Sequence, residues 1–278
     1  MAPASELNTK AMLLRYVVVA AVVGFWMALG WILHSDGNTY LLMGVPLLWL
    51  FQRFVARRPL HELWFAESVR FALPWWGWLV AAGFMAHPLY ALFTWQKPGW
   101  PTQLWLACSV AGCLPLALSL TQLNRSRLRW LGFCLITSGT VGVLTIVLGF
   151  LVRGSAGMSG LHRLQEGLGS FLRYAPVCFV LEEVFFRGGL DSYLSRPDDR
   201  WPWVSAIFVS AIWGWWHLPL VQLREGNAVL QILTLLVMLP LVHIGVGVFF
   251  SICWRRSGLL FVPAVVHAFI DAVRNALH

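Results

Sequence analysis

Long apolar runs, separated by short loops that carry arginine, dominate the 278-residue sequence. A helix needs about 20 apolar residues to cross the hydrocarbon core of a bilayer. Runs of roughly this length predict eight or nine spans, because the second run is short and the last is modest. The runs lie at 12–33, 39–55, 71–95, 102–120, 131–152, 168–194, 202–220, 229–253 and 259–275. An open sheet would leave backbone groups unpaired in lipid, so the predicted fold is an all-α, polytopic transmembrane helical bundle.

The composition argues against a water-soluble domain of independent size. Hydrophobic residues make up 59% of the chain and charged residues 12%, about half the charged fraction of soluble domains. The net charge of +8 comes from arginines between apolar runs, as is typical of membrane-protein loops. A nucleic-acid-binding protein would instead collect its cations on one polar face. We therefore expect the lipid bilayer as a partner and no nucleic acid.

The distribution of arginine over the loops predicts an orientation in the membrane. With the N-terminus in the cytoplasm, the cytoplasmic loops hold Arg53, Arg57, Arg58, Arg70, Arg125, Arg127, Arg129, Arg196, Arg200, Arg255 and Arg256. The opposite loops hold only Lys97, Arg153, Arg163 and Arg224, apart from Arg274 near the end. We predict a multi-pass integral membrane protein with a cytoplasmic N-terminus. Short loops and few lysines fit a bacterial inner (plasma) membrane.

Two local features carry structural expectations. The cysteines all lie in apolar segments, at Cys108, Cys113, Cys134, Cys178 and Cys253. Their odd number and the lack of a Cys-x-x-Cys spacing argue against a disulfide framework or a thiolate metal site. Residues 56–70 mix charged with apolar side chains, which indicates either an interfacial helix or a plain amphipathic connector.

Glu182, Glu183 and Arg187 lie inside an apolar run, where each charge costs at least ~2.5 kcal/mol on insertion scales. On an α-helix, Glu183 and Arg187 share a face, and Glu182 turns away by about 100°. Arg187 could then neutralise one carboxylate while the other faces a cavity as a general base. The alternative is a buried Glu–Arg pair that only ties helices together.

Two later runs each contribute a histidine. His217 shares a helical face with Trp213, and Pro219 allows the helix to stop or kink just afterwards. His217 could hold a water with a carboxylate, donate a proton, bind a metal, or simply be packed in the core. His267 and Asp271 also share a face, so Asp271 could fix the tautomer of the imidazole. The alternative for this pair is a polar clasp between helices.

His243 is also intramembrane, but it has no companion at helical spacing, and we leave it out of the predicted site. Gly245 and Gly247 nearby indicate a close approach of two helices.

Three motifs together resemble those of the CPBP intramembrane proteases: Glu-Glu-x-x-x-Arg at 182–187, an aromatic residue and histidine at 213–217, and His-x-x-x-Asp at 267–271. That family includes the type II CAAX prenyl endopeptidases and the bacteriocin-processing or immunity (Abi-like) proteins. The resemblance covers roughly residues 165–275. We divide the chain into N-terminal helices without a recognised motif, 1–155, and a protease core, 156–278.

The resemblance implies a glutamic-type intramembrane endopeptidase. Glu182 would activate water with the help of His217, while His267 and Asp271 would form or orient the oxyanion site. Glu183 and Arg187 would shape the pocket. Two positions depart from the family pattern. Trp213 stands where Phe is usual, and Asp271 stands where some members have Asn. An ionised Asp would repel an oxyanion, so we assign Asp271 to orienting His267.

The expected substrate is a membrane-associated protein or peptide, either a CAAX-type protein or one processed at a leader or C-terminal tail. We favour a reaction without a cofactor. Two glutamates and two histidines are also compatible with zinc, although no His-Glu-x-x-His occurs. A proton-coupled transporter would also carry intramembrane Glu, Arg and His, because these residues mark ion routes. A non-catalytic scaffold would keep the same fold.

Overall fold

The computed structural model describes residues 4–67, 69, 72–94, 99–153, 160–177, 181–195, 202–223 and 225–276. These residues form helices and no β-strand, which confirms the helical class of the fold. The α-helices are α1 (Ala4–Ile32), α2 (Gly37–Leu50), α3 (Trp75–Thr94), α4 (Trp100–Thr121), α5 (Arg125–Arg153), α6 (Gly160–Val177), α7 (Ser192–Leu194), α8 (Pro202–Trp216), α9 (Ala228–Ser257) and α10 (Phe261–Ala276).

Five helical stretches among the described residues are long and apolar enough to cross a membrane. They are Lys10–Ile32, Gly37–Ala56, Trp75–Thr94, Thr102–Thr121 and Ala228–Ser257. These stretches overlap five of the predicted spans and support an integral membrane protein.

The other four predicted spans fall on α5, on α6 through α7, on α8 and on α10. Their crossing of the bilayer stays a prediction, and so does the total of eight or nine spans. Several residues used in the sequence analysis lie outside the described residues, namely Arg70, Lys97, Cys178, Arg196, Arg200 and Arg224.

The chain packs as two compact units. The first unit comprises Met1–Leu60 with Phe185–Ile252, and the second unit comprises His61–Val184 with Cys253–His278. The division at residue 155 was drawn from motifs rather than from packing, and it stays a prediction.

Aromatic side chains form the core of the first unit. Trp26 is fully buried, and its ring centroid lies 4.6 Å from that of Phe185 and 5.0 Å from that of Trp216. The indole Nε1 of Trp26 donates to the Tyr40 carbonyl at 2.8 Å. The Tyr40 hydroxyl in turn donates to the Trp216 carbonyl at 2.8 Å, which satisfies a backbone acceptor at the C-terminal end of α8. Gly44 lies against the Trp26 ring, where no larger side chain fits without displacing it.

The second unit packs α10 against α4, α5 and α6. A disulfide joins Cys134 of α5 to Cys253 at the end of α9, across 119 residues of sequence. The expectation that the cysteines form no disulfide is therefore wrong for this pair. Neither the number of cysteines nor their local spacing shows which helix ends pack together, and packing brings these two Cα atoms to 6.8 Å.

Of residues 56–70, the described residues 56–67 and 69 form no continuous helix, which favours the connector over the interfacial helix. After a 3₁₀ turn at Leu60–Leu63, Phe65 makes an antiparallel bridge with Leu259. Leu63 and Phe65 are buried in the protein, whereas Leu60 is exposed. Arg127 fastens the connector, since it pairs with Glu67 at 3.1 Å and donates to the Ser257 carbonyl at 3.1 Å.

Asp36 caps the N-terminus of α2. Its Oδ1 accepts from the backbone N–H groups of Asn38 and Thr39 at 3.0 and 3.2 Å, and its Oδ2 accepts from the Thr39 hydroxyl at 2.6 Å. The Thr39 hydroxyl bond, followed by these backbone bonds, lowers the pKa of the Asp36 carboxyl, although partial burial opposes them. Hydrogen bonds to the ionised form favour that form.

We expect Asp36→Ala to lower the stability of the purified protein by about 1 kcal/mol, the usual cost of a lost N-cap. Because the folded-state pKa is lowered, the charge-dependent part of the cap is present above the unfolded-state pKa and is lost as pH falls through the folded-state pKa. Thermal unfolding in detergent between neutral and acid pH measures both effects. Asp36→Asn is the control, because asparagine caps helices but does not titrate. If Asp36→Asn lost as much stability on acidification as the wild type does, the assignment of Asp36 as a titrating N-cap would be contradicted.

Candidate active site

A buried hydrogen bond between His267 and Glu183 forms the centre of the candidate site in the second unit. The imidazole Nδ1 lies 2.9 Å from Glu183 Oε1, and the two residues are 6% and 1% exposed. An ionised carboxylate only accepts hydrogen bonds, so Nδ1 carries the proton when Glu183 is ionised. The contact joins residues that are 84 apart in the sequence.

Two further carboxylates face the other ring nitrogen of His267. Asp271 Oδ2 lies 3.6 Å and Glu182 Oε2 lies 4.0 Å from Nε2. Both distances exceed that of a direct hydrogen bond, and polar separations of this size are commonly bridged by water. The Glu182 side chain is 15% exposed, against 1% for Glu183, so Glu182 is the more accessible of the two adjacent glutamates.

Asp271 makes a different contact from the one expected. The expected hydrogen bond from His267 goes to Glu183, and Asp271 instead places its Oδ1 3.2 Å from Arg274 Nη2. The shared helical face of His267 and Asp271 is confirmed, since the pair lies one turn apart on α10. Asp271 is held by its own helix, whereas Glu183 reaches the imidazole from another segment.

Arg187 lies in the first unit and is fully buried. Its guanidinium carbon lies 5.2 Å from the Trp213 ring centroid and 5.8 Å from that of Phe250, which are cation–π distances. Gly247 makes room for it, because a Cβ there would lie 2.9 Å from Arg187 Nη2. Gly245 faces open space, so only Gly247 of the two glycines marks a close approach.

The backbone around Arg187 is π-helical over Val184–Asp191. In a π-helix the hydrogen bonds reach five residues along the chain, so a spacing of four does not define one face. The α-helical premise behind a shared face for Glu183 and Arg187 is therefore wrong. Single π-turns are rare, and they occur frequently at functional sites.

His217 lies in the first unit, directly after α8. Its backbone N–H bonds to the Gly214 carbonyl at 3.1 Å in a 3₁₀ turn, and Pro219 follows, so the helix stops where the sequence predicts. The imidazole Nδ1 lies 2.9 Å from the Trp213 carbonyl. A carbonyl only accepts, so Nδ1 carries the proton and Nε2 is the acceptor nitrogen of the neutral ring.

Four of the predicted site residues thus lie together in the second unit, and Arg187 and His217 lie in the first. The sequence analysis missed His243, whose ring centroid lies 4.3 Å from that of His217. Its partner comes from another helix, so helical spacing could not reveal it. The signal available in the sequence was a second histidine in an apolar helix, three residues after Pro240.

No group of three or more His, Cys, Asp and Glu side chains within the described part of the chain is placed to hold a metal ion. The nearest approximation is the cluster around His267, where one ring nitrogen already bonds to Glu183. A metal-ligating histidine often donates its other nitrogen to a carboxylate, so this bond alone does not decide between the two chemistries.

Comparison with known proteins gives a match to one family model. Residues 164–273 match the family model described as type II CAAX prenyl endopeptidase Rce1-like. The matched segment contains all six predicted site residues and also His243. The chain matches no curated protein and no solved structure.

A double-mutant cycle tests which carboxylate holds His267. We expect a coupling energy of about 2 kcal/mol between Glu183→Gln and His267→Gln, because a buried hydrogen bond to a charged group is lost. Asp271→Asn with His267→Gln should couple by less than about 1 kcal/mol, since that pair is not hydrogen-bonded. Unfolding of the purified variants in detergent measures both values. Equal couplings, or a larger one for Asp271, would contradict the geometry described.

Proposed function

We propose that the chain, an intramembrane protease of the CPBP family by its match over residues 164–273, hydrolyses a peptide bond of a membrane-associated substrate with water activated by Glu182. The observation that carries this proposal is the unequal environment of the two glutamates. Glu183 is buried and bonded to His267, whereas Glu182 is more exposed and faces the same imidazole at 4.0 Å.

In the proposed reaction, the Glu182 carboxylate takes a proton from water, and the hydroxide attacks the scissile carbonyl carbon. The carbonyl oxygen becomes an oxyanion in a tetrahedral intermediate. Glu182, now protonated, gives its proton to the leaving amine as the C–N bond breaks. The immediate products are a carboxylic acid and an amine, which become a carboxylate and an ammonium group when a proton passes from one to the other through water, and Glu182 is again ionised.

We assign the stabilisation of the oxyanion to His267. Since Nδ1 donates to Glu183, the ring can donate from Nε2 only as an imidazolium. Three carboxylates, those of Glu182, Glu183 and Asp271, lie within 4.0 Å of the ring nitrogens. A cationic donor aimed at the developing negative charge lowers the barrier more than a neutral one.

We assign His217 to holding the attacking water, on the basis of its position in the family motif. The Trp213 carbonyl fixes the Nδ1–H tautomer, so Nε2 can accept a hydrogen bond from water. Acceptance at this nitrogen would orient a lone pair of the water oxygen toward the substrate. Arg187 is proposed to shape the pocket from its position between Trp213 and Phe250.

The substrate class follows from the family and from the membrane location. We propose a membrane-associated protein or peptide that is either of the CAAX type or processed at a leader or a C-terminal tail. We further propose a bacterial inner membrane and a cytoplasmic N-terminus, for which the arginine distribution is the support.

The decisive variant is Glu182→Gln, which keeps the side-chain shape and removes the base. With the chain in liposomes and a prenylated Cys-a-a-X peptide as substrate, we expect cleavage to fall by about 10²–10⁴-fold. Mass spectrometry of the peptide products measures the rate and locates the cleaved bond. Glu67→Gln is the matched control, because it makes the same chemical change on a side chain that is 79% exposed. Cleavage by Glu182→Gln at the wild-type rate would contradict the proposed base.

We propose that the reaction needs no metal, since His-Glu-x-x-His is absent from the sequence. Incubation of active protein with a strong chelator, followed by its removal, should leave the cleavage rate unchanged. Metal analysis of the same sample should show less than one equivalent per chain. Loss of activity that added zinc restores would favour a metal-dependent protease.

A further inference from the structure

His243 contacts the imidazole ring of His217 in the first unit, and we propose that it is a positioning residue of the hydrolytic site. The ring centroids are 4.3 Å apart, and the ring planes meet at 38°. Its place in the reaction rests on the proposed function, because His217 is assigned to the attacking water. The contact itself is a feature of helices α8 and α9.

The sequence brings these two helices together around Pro240. Proline has no N–H, so the carbonyl of Leu236, four residues earlier, lacks its helical donor. The Trp215 indole of α8 supplies a donor, and its Nε1 lies 2.8 Å from that carbonyl. Gly214 permits the approach, because a Cβ there would lie 2.7 Å from the Leu239 carbonyl oxygen.

Each imidazole is oriented by its own helix. Nδ1 of His217 bonds to the Trp213 carbonyl at 2.9 Å, and Nδ1 of His243 bonds to the Leu239 carbonyl at 2.7 Å. Both bonds fix the Nδ1–H tautomer, so Nε2 is the acceptor nitrogen in both neutral rings. Trp213 meets both rings edge-on, with centroids 5.6 Å from His217 and 4.7 Å from His243.

The neighbouring His243 ring supplies a constraint that the hydrogen bond at Nδ1 does not. That bond holds one edge of the His217 ring, and by itself it leaves the ring able to tilt about that edge. The His243 ring lies 4.3 Å away at an interplanar angle of 38°, and Trp216 meets the ring edge-on at 4.9 Å, so both rings limit tilting. The direction of Nε2 is thereby restricted. Small misplacements of a group that positions a reactant slow the chemical step strongly.

Two substitutions of His243 distinguish the effect of its flat ring from the effect of its ring nitrogens. His243→Phe keeps a flat ring against His217, whereas His243→Leu removes it. We expect His243→Leu to lower kcat about 10-fold with little change in KM, and His243→Phe to stay within about 3-fold of the wild type. Val242→Ala, an exposed neighbour on α9, is the control for a general perturbation of the helix. Wild-type kcat in the Leu variant, or equal losses in the Leu and Phe variants, would overturn the proposal.

A second measurement does not depend on proteolysis. With ¹⁵N-labelled histidine in detergent, the wild type and His243→Phe should give one sharp set of ring signals for His217, and His243→Leu should give broadened signals because the ring tilts about its Nδ1 bond. If the wild type cleaves no substrate but these signals differ as expected, the proposed function fails and the positioning contact stands. If His217 gives the same signals in all three proteins, the positioning contact fails.

Discussion

The contact on which the candidate site depends is the buried bond between His267 and Glu183. A carboxylate that is 1% exposed costs several kcal/mol to bury unless a donor satisfies it. The imidazole supplies that donor and is itself oriented by the carboxylate. Because the two residues are 84 positions apart, the bond also fixes α10 against the segment that carries the glutamates. Loss of either partner would leave the other buried without this bond. The packing of α10 and the orientation of the His267 ring therefore depend on the same contact.

Burial of one glutamate determines what the next one can do. Adjacent residues on a helical backbone point in different directions, so Glu182 cannot share the environment of Glu183. Glu182 keeps some exposure and lies 4.0 Å from Nε2 of the same ring. A base has to exchange its proton within each cycle, and this requires access to water that Glu183 does not have. The difference in burial between the two glutamates is therefore the ground on which we propose Glu182, rather than Glu183, as the base.

The features that could be predicted from the sequence are those set by local periodicity. Apolar runs identified five helices long enough for a bilayer, and a spacing of four placed His267 and Asp271 on one face of α10. The features that could not be predicted depend on packing between distant segments. The Cys134–Cys253 disulfide and the ring contact between His243 and His217 are of this kind. The π-turn is a third, because the residues of Val184–Asp191 give no local sign that the backbone hydrogen bonds shift from four to five residues. The hydrogen bond from His267 to Glu183 could not be predicted for a related reason, since helical spacing offers only candidates on the same helix.

The contacts around His267 indicate what an aspartate at position 271 contributes that an asparagine would not. If Asp271 oriented the imidazole, Asn could replace it with little loss, since an amide oxygen also accepts a hydrogen bond. With Glu183 in that role, Asp271 contributes charge at 3.6 Å from Nε2. Two unit charges about 4 Å apart interact by about 1 kcal/mol in water and by about 4 kcal/mol at an effective dielectric constant of 20. Arg274 offsets part of this interaction through its own pairing with Asp271, but its side chain is 58% exposed and is therefore screened by solvent. In the proposed reaction, the Asp271 carboxylate would therefore place negative charge beside the ring that donates to the oxyanion, whereas Asn would place none. The difference between Asp and Asn at this position is thus a difference in charge rather than in the ability to accept a hydrogen bond.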